Sequence, residues 1–388
     1  MEHMPDRMIY LDNAATTATK PPQVAEAVGK AMEASGNAGR GVFGSALDAG
    51  RTVYLARKAV SELFHGYGPE QTAFTANSTE SLNMAIQGLL EPGDHVISTV
   101  MEHNSVLRPL HKMEDQGTEV TFLPLFPENG WQIPGKCFEQ AIRPNTKMIV
   151  CTHGANLTGD LNDIEAIGDI CRRHGILFVL DASQTAGVME IDMKAMGIDV
   201  VCFTGHKSLM GPQGTGGICV RPGVRIKPLL EGGTGVKTYS RRQPEEMPTV
   251  LEAGTLNIHG IAGLLSALEW RKQVGEEKIR KKECFLTDRF YRKVRELPGV
   301  QIYGNFESGQ RAPVVALNLY QYDSGEVASE LYDRFGIQTR PGGHCAPMYH
   351  QALGTVEQGA VRFSFSWFNT EEEADLAADA VKQLSEEG

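Results

Sequence analysis

Lys207 stands in the densest chemical signal of this 388-residue chain, Thr204-Gly205-His206-Lys207-Ser208-Leu209-Met210-Gly211-Pro212-Gln213-Gly214-Thr215-Gly216-Gly217. The lysine follows an apolar run, and the glycines after it let the backbone pass close to a flat ligand. A lysine desolvated at such a place loses basicity and becomes a usable amine nucleophile. Taken alone, the segment reads more often as a surface lysine in a glycine-rich turn. Asp181 lies 207 − 181 = 26 residues earlier, at the end of Ile176-Leu177-Phe178-Val179-Leu180. That spacing suits one strand-helix-strand crossover, with both side chains at the carboxyl edge of neighbouring strands. An aspartate there can pair with a protonated ring nitrogen, although a lone aspartate is more commonly a helix cap.

Two further segments carry chemistry. In Phe74-Thr75-Ala76-Asn77-Ser78-Thr79-Glu80-Ser81-Leu82-Asn83, small hydroxylated residues lead into apolar positions at helical spacing (Leu82, Ala85, Ile86, Leu89, Leu90). Free amides and hydroxyls at a helix start can hold a phosphate, or simply form an N-cap. In Arg340-Pro341-Gly342-Gly343-His344-Cys345-Ala346-Pro347, a cysteine sits between glycines and a proline on what should be a short accessible loop. Cations at Arg340 and His344 would favour its thiolate, the reactive form. A single Cys-His neighbour pair is weak by itself.

The elements that must position these residues are legible as an alternation. Met148 to Thr152, Ile176 to Leu180 and Val200 to Thr204 read as strands, and Leu161, Ile164, Ile167, Ile170 and Cys171 recur at helical spacing between the first two. Strand, helix, strand implies right-handed crossovers and a mostly parallel sheet covered on both faces, an α/β domain. From Gly260 a long helical stretch rich in Lys, Arg and Glu runs to about Glu296, before Pro298-Gly299. Strands over Val314 to Tyr320 and Val361 to Phe368 follow, and Thr370-x-x-Glu373 opens a closing helix. The expected division is an N-terminal segment 1–20 joining the small domain, a large α/β domain 21–259 and a small C-terminal α+β domain 260–388. The loop-rich stretch from Glu231 to Gly254 is the best candidate for an ordered functional loop.

Composition narrows the classes. The chain is 41% hydrophobic and 22% charged, as in ordinary globular proteins, and no stretch approaches the ~18 apolar residues of a membrane span. The first seven residues lack the basic stretch and apolar run of a secretory signal, so a cytoplasmic location is expected. The formal charge of −11, with dispersed Lys and Arg, argues against nucleic acid as a partner. Seven cysteines without a CxxC pair argue against a disulfide framework or a cysteine metal site, and Cys151, Cys202 and Cys219 read as small core hydrophobes.

Together these residues resemble the class V aminotransferase family of fold-type I pyridoxal-phosphate enzymes, and within it the cysteine desulfurases and selenocysteine lyases. The resemblance runs from Tyr10-Leu11-Asp12-Asn13-Ala14-Ala15-Thr16-Thr17 to Arg362-Phe363-Ser364-Phe365-Ser366-Trp367-Phe368-Asn369-Thr370. It implies a large domain with a mostly parallel seven-stranded sheet and a smaller domain carrying the cysteine loop. It implies that Lys207 holds pyridoxal 5'-phosphate covalently, that Asp181 holds its ring nitrogen, that Gln184 and Asn156 reach its phenolic oxygen, and that His103, in Glu102-His103-Asn104-Ser105, stacks over its ring. Ser78, Thr79, Thr204 and His206 would cradle the phosphate. Glu252-Ala253-Gly254-Thr255 resembles the segment that completes a partner subunit's phosphate site, implying a homodimer.

Arg340 lies 345 − 340 = 5 residues before Cys345, as in the short loop of the SUF-type, group II desulfurases. Arg362 matches the arginine that grips the substrate carboxylate, a task suited to a bidentate guanidinium; Arg340 and Asn13 join it as substrate-binding candidates. The implied activity is conversion of L-cysteine to L-alanine with sulfur passed to Cys345 as a persulfide and on to an acceptor protein, with Lys207 and His103 moving protons. Selenocysteine lyase acting on L-selenocysteine is the alternative, and a class V aminotransferase the more distant one. The chain departs from the pattern at Gly343, Gly39 and Phe43, where family members usually carry histidines.

Overall fold

The computed structural model describes residues 8–34, 36, 44–126, 130, 132–307 and 309–388. The Asn37 to Phe43 segment, with Gly39 and Phe43, lies outside the described residues. The chain opens with β1 (Ile9–Tyr10), α1 (Pro22–Ala34), α2 (Gly44–Leu63), β2 (Thr72–Thr75), α3 (Ser78–Leu89), β3 (His95–Thr99), α4 (Asn104–Asp115) and β4 (Glu119–Leu123). It continues through α5 (Gly135–Gln140), β5 (Thr146–Thr152), α6 (Ile164–His174), β6 (Leu177–Asp181), β7 (Val200–Thr204) and β8 (Gly216–Val220). Next come α7 (Ile258–Val274), α8 (Glu276–Val294), β9 (Val300–Tyr303), β10 (Val314–Leu319), α9 (Ser324–Phe335), β11 (Ile337–Gln338), α10 (Pro347–Leu353), β12 (Val361–Ser364) and α11 (Glu371–Glu387).

Seven strands form one sheet in the order β2-β8-β7-β6-β5-β3-β4, with β8 alone antiparallel to its neighbours. Along β7, Val200 and Cys202 face the core built with α3 and α4, while Val201 and Phe203 face the core built with α2, α6 and α7. A strand covered on both faces must be apolar throughout, which is why these strands read as continuous hydrophobic runs. Cys151, Cys202 and Cys219 lie in these cores, where burial pushes their thiols up.

The expected elements hold with local shifts. Helix α6 starts at Ile164, because Asp163 caps it by accepting from Ala166 N at 3.0 Å, which leaves Leu161 outside. The strand expected over Val361 to Phe368 ends at Ser364, because Ser366 and Asn369 close a turn through Ser366 N to Asn369 Oδ1 at 2.9 Å. The long helical stretch from Gly260 is two helices. Gly275, at φ 98°, separates them. Ile258, Ile261, Leu264 and Leu268 of α7 pack into the core shared with α2 and α6, whereas Leu286, Phe290 and Val294 of α8 pack against the small sheet β12-β10-β9. The change of layer therefore falls at Gly275 rather than Gly260.

The strand β1 pairs in parallel with β11 and buries Ile9 and Leu11 in the core that Phe290 and Val294 share with the small sheet, tying it to the layer that carries Arg362. Helix α11 carries the full capping box between Thr370 and Glu373. No helix among the described residues is long and apolar enough to cross a membrane.

Phe290 is fully buried, with its ring 4.6 Å from that of Phe363 and 5.7 Å from that of Phe365. Phe290→Ala should lower unfolding free energy by about 3–5 kcal/mol through lost transfer energy and a residual cavity, read as a shift in urea midpoint.

Candidate active site

Asp181 ends β6 opposite Cys202 of β7, and Lys207 follows three residues after β7 closes. The crossover thus brings both residues to the same carboxyl edge of the sheet. Asp181 is buried, and Ser183 donates to its Oδ1 from both backbone N, at 2.9 Å, and hydroxyl. Among the described residues no group donates to Oδ2. Burial raises the Asp181 pKa, opposed by Ser183 and Lys207.

Burial lowers Lys207 to about 8, with Asp181 opposing and Arg362 and Arg340 adding to the fall. The Lys207 backbone is pinned, since Thr17 Oγ1 donates to its carbonyl at 2.8 Å. The preceding carbonyl, of His206, accepts from Lys20 Nζ at 2.8 Å. Arg271, fully buried on α7, donates to Ser208 O at 2.5 Å and to Gly187 O, bracing the same loop from behind. Gly205 and Gly216 leave no room for a Cβ, which would fall 2.2 Å from Thr215 Oγ1 and 2.7 Å from Asn77 Cα respectively. The glycines are therefore needed for close packing under the site.

His103 caps α4, its Nδ1 accepting from Ser105 N at 3.0 Å. The ring proton of the neutral imidazole therefore sits on Nε2. Burial, then Lys207, Arg340, Arg362 and Arg108, lower its pKa to about 4. His206 is likewise held to about 4 by burial, Lys207 and Lys20. At α3, Asn77 Oδ1 accepts from Glu80 N at 3.0 Å, and the amides of Ser78 and Thr79 have no protein acceptor among the described residues. Ser78 Oγ lies 2.7 Å from Ser183 Oγ, which joins this helix start to Asp181. Thr79 Oγ1 lies 2.7 Å from Ser105 Oγ, which joins it to His103. Thr204 is buried, with its hydroxyl on Thr215 O at 3.4 Å.

Cys345 is exposed, on a loop clamped from several sides. Asn104 N donates to its carbonyl at 2.8 Å, and Asn156 Nδ2 donates to the His344 carbonyl at 2.7 Å. His344 and Cys345 both have left-handed backbone, at φ 50° and 56°, which costs about 1–2 kcal/mol per residue and persists only where contacts enforce it. Arg340 Nη2 lies 4.0 Å from Cys345 Sγ.

The second cation expected beside the thiol is absent. His344 is 3% exposed, and burial, Arg362, His350 and Arg340 hold it down to about 3, so it is neutral.

Several other expected residues already have partners within the chain. Asn156 spends its N–H on the cysteine loop and leaves Oδ1, an acceptor, buried without a partner among the described residues. Gln184 Nε2 donates to Ala14 O at 3.1 Å. Asn13 spends its amide on Ser364 O at 2.9 Å and Asn369 Oδ1 at 3.1 Å, so it supports the site's wall. Arg362 is 1% exposed and already bonded, Nη2 to Asp12 Oδ1 at 2.7 Å and Nη1 to Asn156 O at 2.9 Å, with Nε buried and unpartnered among the described residues. Thr255 is exposed.

Asp12, Ser105, Ser183, Arg271 and His350 take part in the site without a spacing signal of their own. Only the short step from Asp181 to Ser183 was locally readable.

The donor set fits pyridoxal phosphate. A buried carboxylate oxygen without a donor suits a protonated ring nitrogen, a weakly basic amine suits an aldehyde, and free amides at a helix start suit a phosphate. Lys20, Lys207, Arg340 and Arg362 outnumber Asp12 and Asp181 around the edge, which favours an anionic ligand.

A family model described as "Aminotransferase class-V" matches residues 9–376. The chain is 32% identical over 384 residues to a probable cysteine desulfurase of Methanothermobacter thermautotrophicus, covering 97% of this chain and 94% of that one. It is 34% identical over 395 residues to cysteine desulfurase IscS of Pseudomonas entomophila, covering 96% and 91%. Among solved structures, the apo cysteine desulfurase of Thermococcus onnurineus NA1 superposes with a TM-score of 0.91 at 31% identity, covering 98% of this chain and 95% of that one. Cysteine desulfurase CsdA of Escherichia coli gives 0.87 at 28%, covering 99% and 96%.

Because the folded pKa of Lys207 lies below its ordinary value, the burial penalty on its charged form is carried below pH about 8 and fades as pH rises from there toward 10.5. Labelling of Lys207 by a small aldehyde trapped with borohydride, read by peptide mass spectrometry, should rise through a midpoint near pH 8. A midpoint near 10.5 would show that the amine is not desolvated.

Proposed function

This chain belongs to the aminotransferase class-V family, and we propose that it is a pyridoxal-phosphate-dependent cysteine desulfurase that converts L-cysteine to L-alanine and keeps the sulfur on Cys345 as a persulfide. The observation that carries the reading is an exposed thiol on a fixed loop, 4.0 Å from an arginine. Relatives named cysteine desulfurase, matched over nearly the whole chain, support it.

Lys207, Asp181, the α3 amides and His103 would hold the cofactor, which when bound withdraws electrons from the substrate carbons. The chain's own residues do the rest. Arg362 and Arg340 offer positive charge to the substrate carboxylate, and Asp12 with Asn156 O keeps the Arg362 guanidinium in one orientation. Lys207 Nζ, at a pKa of about 8, can accept and return a proton near neutral pH. Neutral His103 presents an Nε2 proton as a hydrogen-bond donor, and its low basicity leaves proton transfer to Lys207. Cys345 Sγ, as thiolate, attacks the substrate sulfur. The Sγ–S bond forms, the substrate Cβ–S bond breaks, and the carbon skeleton leaves as alanine after Cβ gains a proton.

The persulfide then passes to a protein or small-thiol acceptor. A reducing compartment such as the cytoplasm suits a site whose working group is a free thiol. Exposed Thr255, whose side chain makes no hydrogen bond among the described residues, fits the role of completing a second subunit's phosphate site in a homodimer.

Cofactor-loaded wild type should release sulfide and alanine from L-cysteine, and Cys345→Ala should lower both by about a hundredfold or more. Selenium release from L-selenocysteine that survives Cys345→Ala is expected of a short-loop enzyme. Alanine from selenocysteine alone would make the chain a lyase, and transamination indifferent to Cys345→Ala would replace the desulfurase reading.

A further inference from the structure

Behind Cys345 lies a buried chain of polar groups that the reaction above does not use. His344 Nε2 lies 3.0 Å from the Arg340 carbonyl, His344 Nδ1 lies 3.4 Å from His350 Nε2, and His350 Nδ1 lies 2.7 Å from Thr355 Oγ1. The two imidazoles stack at 5.7 Å with 10° between planes, and each is 3% exposed. A carbonyl can only accept, so His344 Nε2 must carry the proton and its Nδ1 must accept. His350 Nε2 must then donate, and His350 Nδ1 must accept from the Thr355 hydroxyl. With both rings neutral, the Arg340 carbonyl thus sets the tautomer of His344 and, through the contact between the rings, that of His350.

The chain's end coincides with the left-handed residues. It binds the carbonyl of Arg340, the residue beside Cys345 Sγ, and it holds the side chain of His344, whose φ is 50°. We propose that His350, acting through His344, is a positioning residue for sulfur transfer: the fixed-tautomer relay from Thr355 to the Arg340 carbonyl enforces the left-handed turn that presents Cys345 beside Arg340. His350 touches neither the thiol nor the cofactor residues in any hydrogen bond among the described residues, so its effect passes through the loop. The catalytic consequence rests on the desulfurase reading, whereas the relay itself does not.

The holoenzyme tests it with two variants. His350→Leu removes the donor to His344 Nδ1, while His350→Gln keeps a donor at the position of Nε2. His350→Leu should lower kcat for alanine formation from cysteine by about tenfold or more with KM little changed, because the thiol is misplaced while substrate binding is intact. His350→Gln should recover most of that loss. A folded His350→Leu enzyme with wild-type kcat, or a Gln variant no better than Leu, overturns the proposal. Should His350→Leu not fold, Thr355→Val, which deletes only the hydroxyl that sets the His350 tautomer, should lower kcat severalfold, and an unchanged kcat overturns it.

A substrate-free arm separates the two readings: nitrogen-15 histidine spectra of wild type should show His344 protonated on Nε2 and bare on Nδ1. The opposite tautomer sinks the relay whatever the activity. A wild type that forms no alanine from cysteine, with that tautomer in place, sinks the desulfurase reading alone.

Discussion

A lysine amine held out of water beside one buried carboxylate is the constraint on which the rest of this structure depends. Lowering Lys207 from its ordinary value to about 8 corresponds to about 3 kcal/mol against its charged form, a cost the fold must carry. The carboxylate that limits this cost is Asp181, itself buried and tethered by Ser183. Neither residue could sit there on a loop free to relax, because water would reach both and the shift would vanish. The parallel register of β6 against β7, the pinned carbonyls of His206 and Lys207, and buried Arg271 behind Ser208 all serve to keep that pair dry and fixed.

The same positive field has a second consequence. Lys207, Arg340 and Arg362 all disfavour protons on His103, so burial and repulsion together make the histidine over the site neutral. A neutral imidazole with its proton on Nε2 is a donor and a flat surface, and a poor acid. His103 is thereby a weak base that offers its Nε2 proton as a donor. His344 loses its expected charge for the same reasons, and the thiol's neighbouring cation is Arg340 alone of the two expected.

The segment from β11 to β12 brings Cys345 and Arg362 to this site. Strand β1 crosses from the chain's start to pair with β11, and Asp12 just beyond it holds Arg362 at the β12 edge. Asn156, after β5, receives that arginine on its carbonyl and spends its side chain on the cysteine loop. Asn104 at the head of α4 holds the loop from the other side. A loop gripped by Asn156 and Asn104 at consecutive carbonyls is preorganised for one geometry, which suits a nucleophile that must meet its substrate in place.

Much of this was legible in the order of residues. The α/β alternation, the strand containing Asp181, the lysine after the next strand and the cysteine five residues past an arginine all rest on local periodicity or short spacing, which a chain carries in one dimension. The break between α7 and α8 at Gly275 was not, because helical spacing continues on both sides of a single glycine and the packing against different sheets is what separates them. Nor could sequence say that Asn13, Asn156 and Arg362 were already partnered, since those partners lie hundreds of residues away: Asn13 meets Ser364, Asn156 meets His344, and Arg362 meets Asp12. The sequence by itself determined which functional groups the protein owns and which strand ends present them. The tertiary structure alone decided their charge and hydrogen-bonding state, because desolvation and the summed field of distant residues exist only once the chain has closed around them.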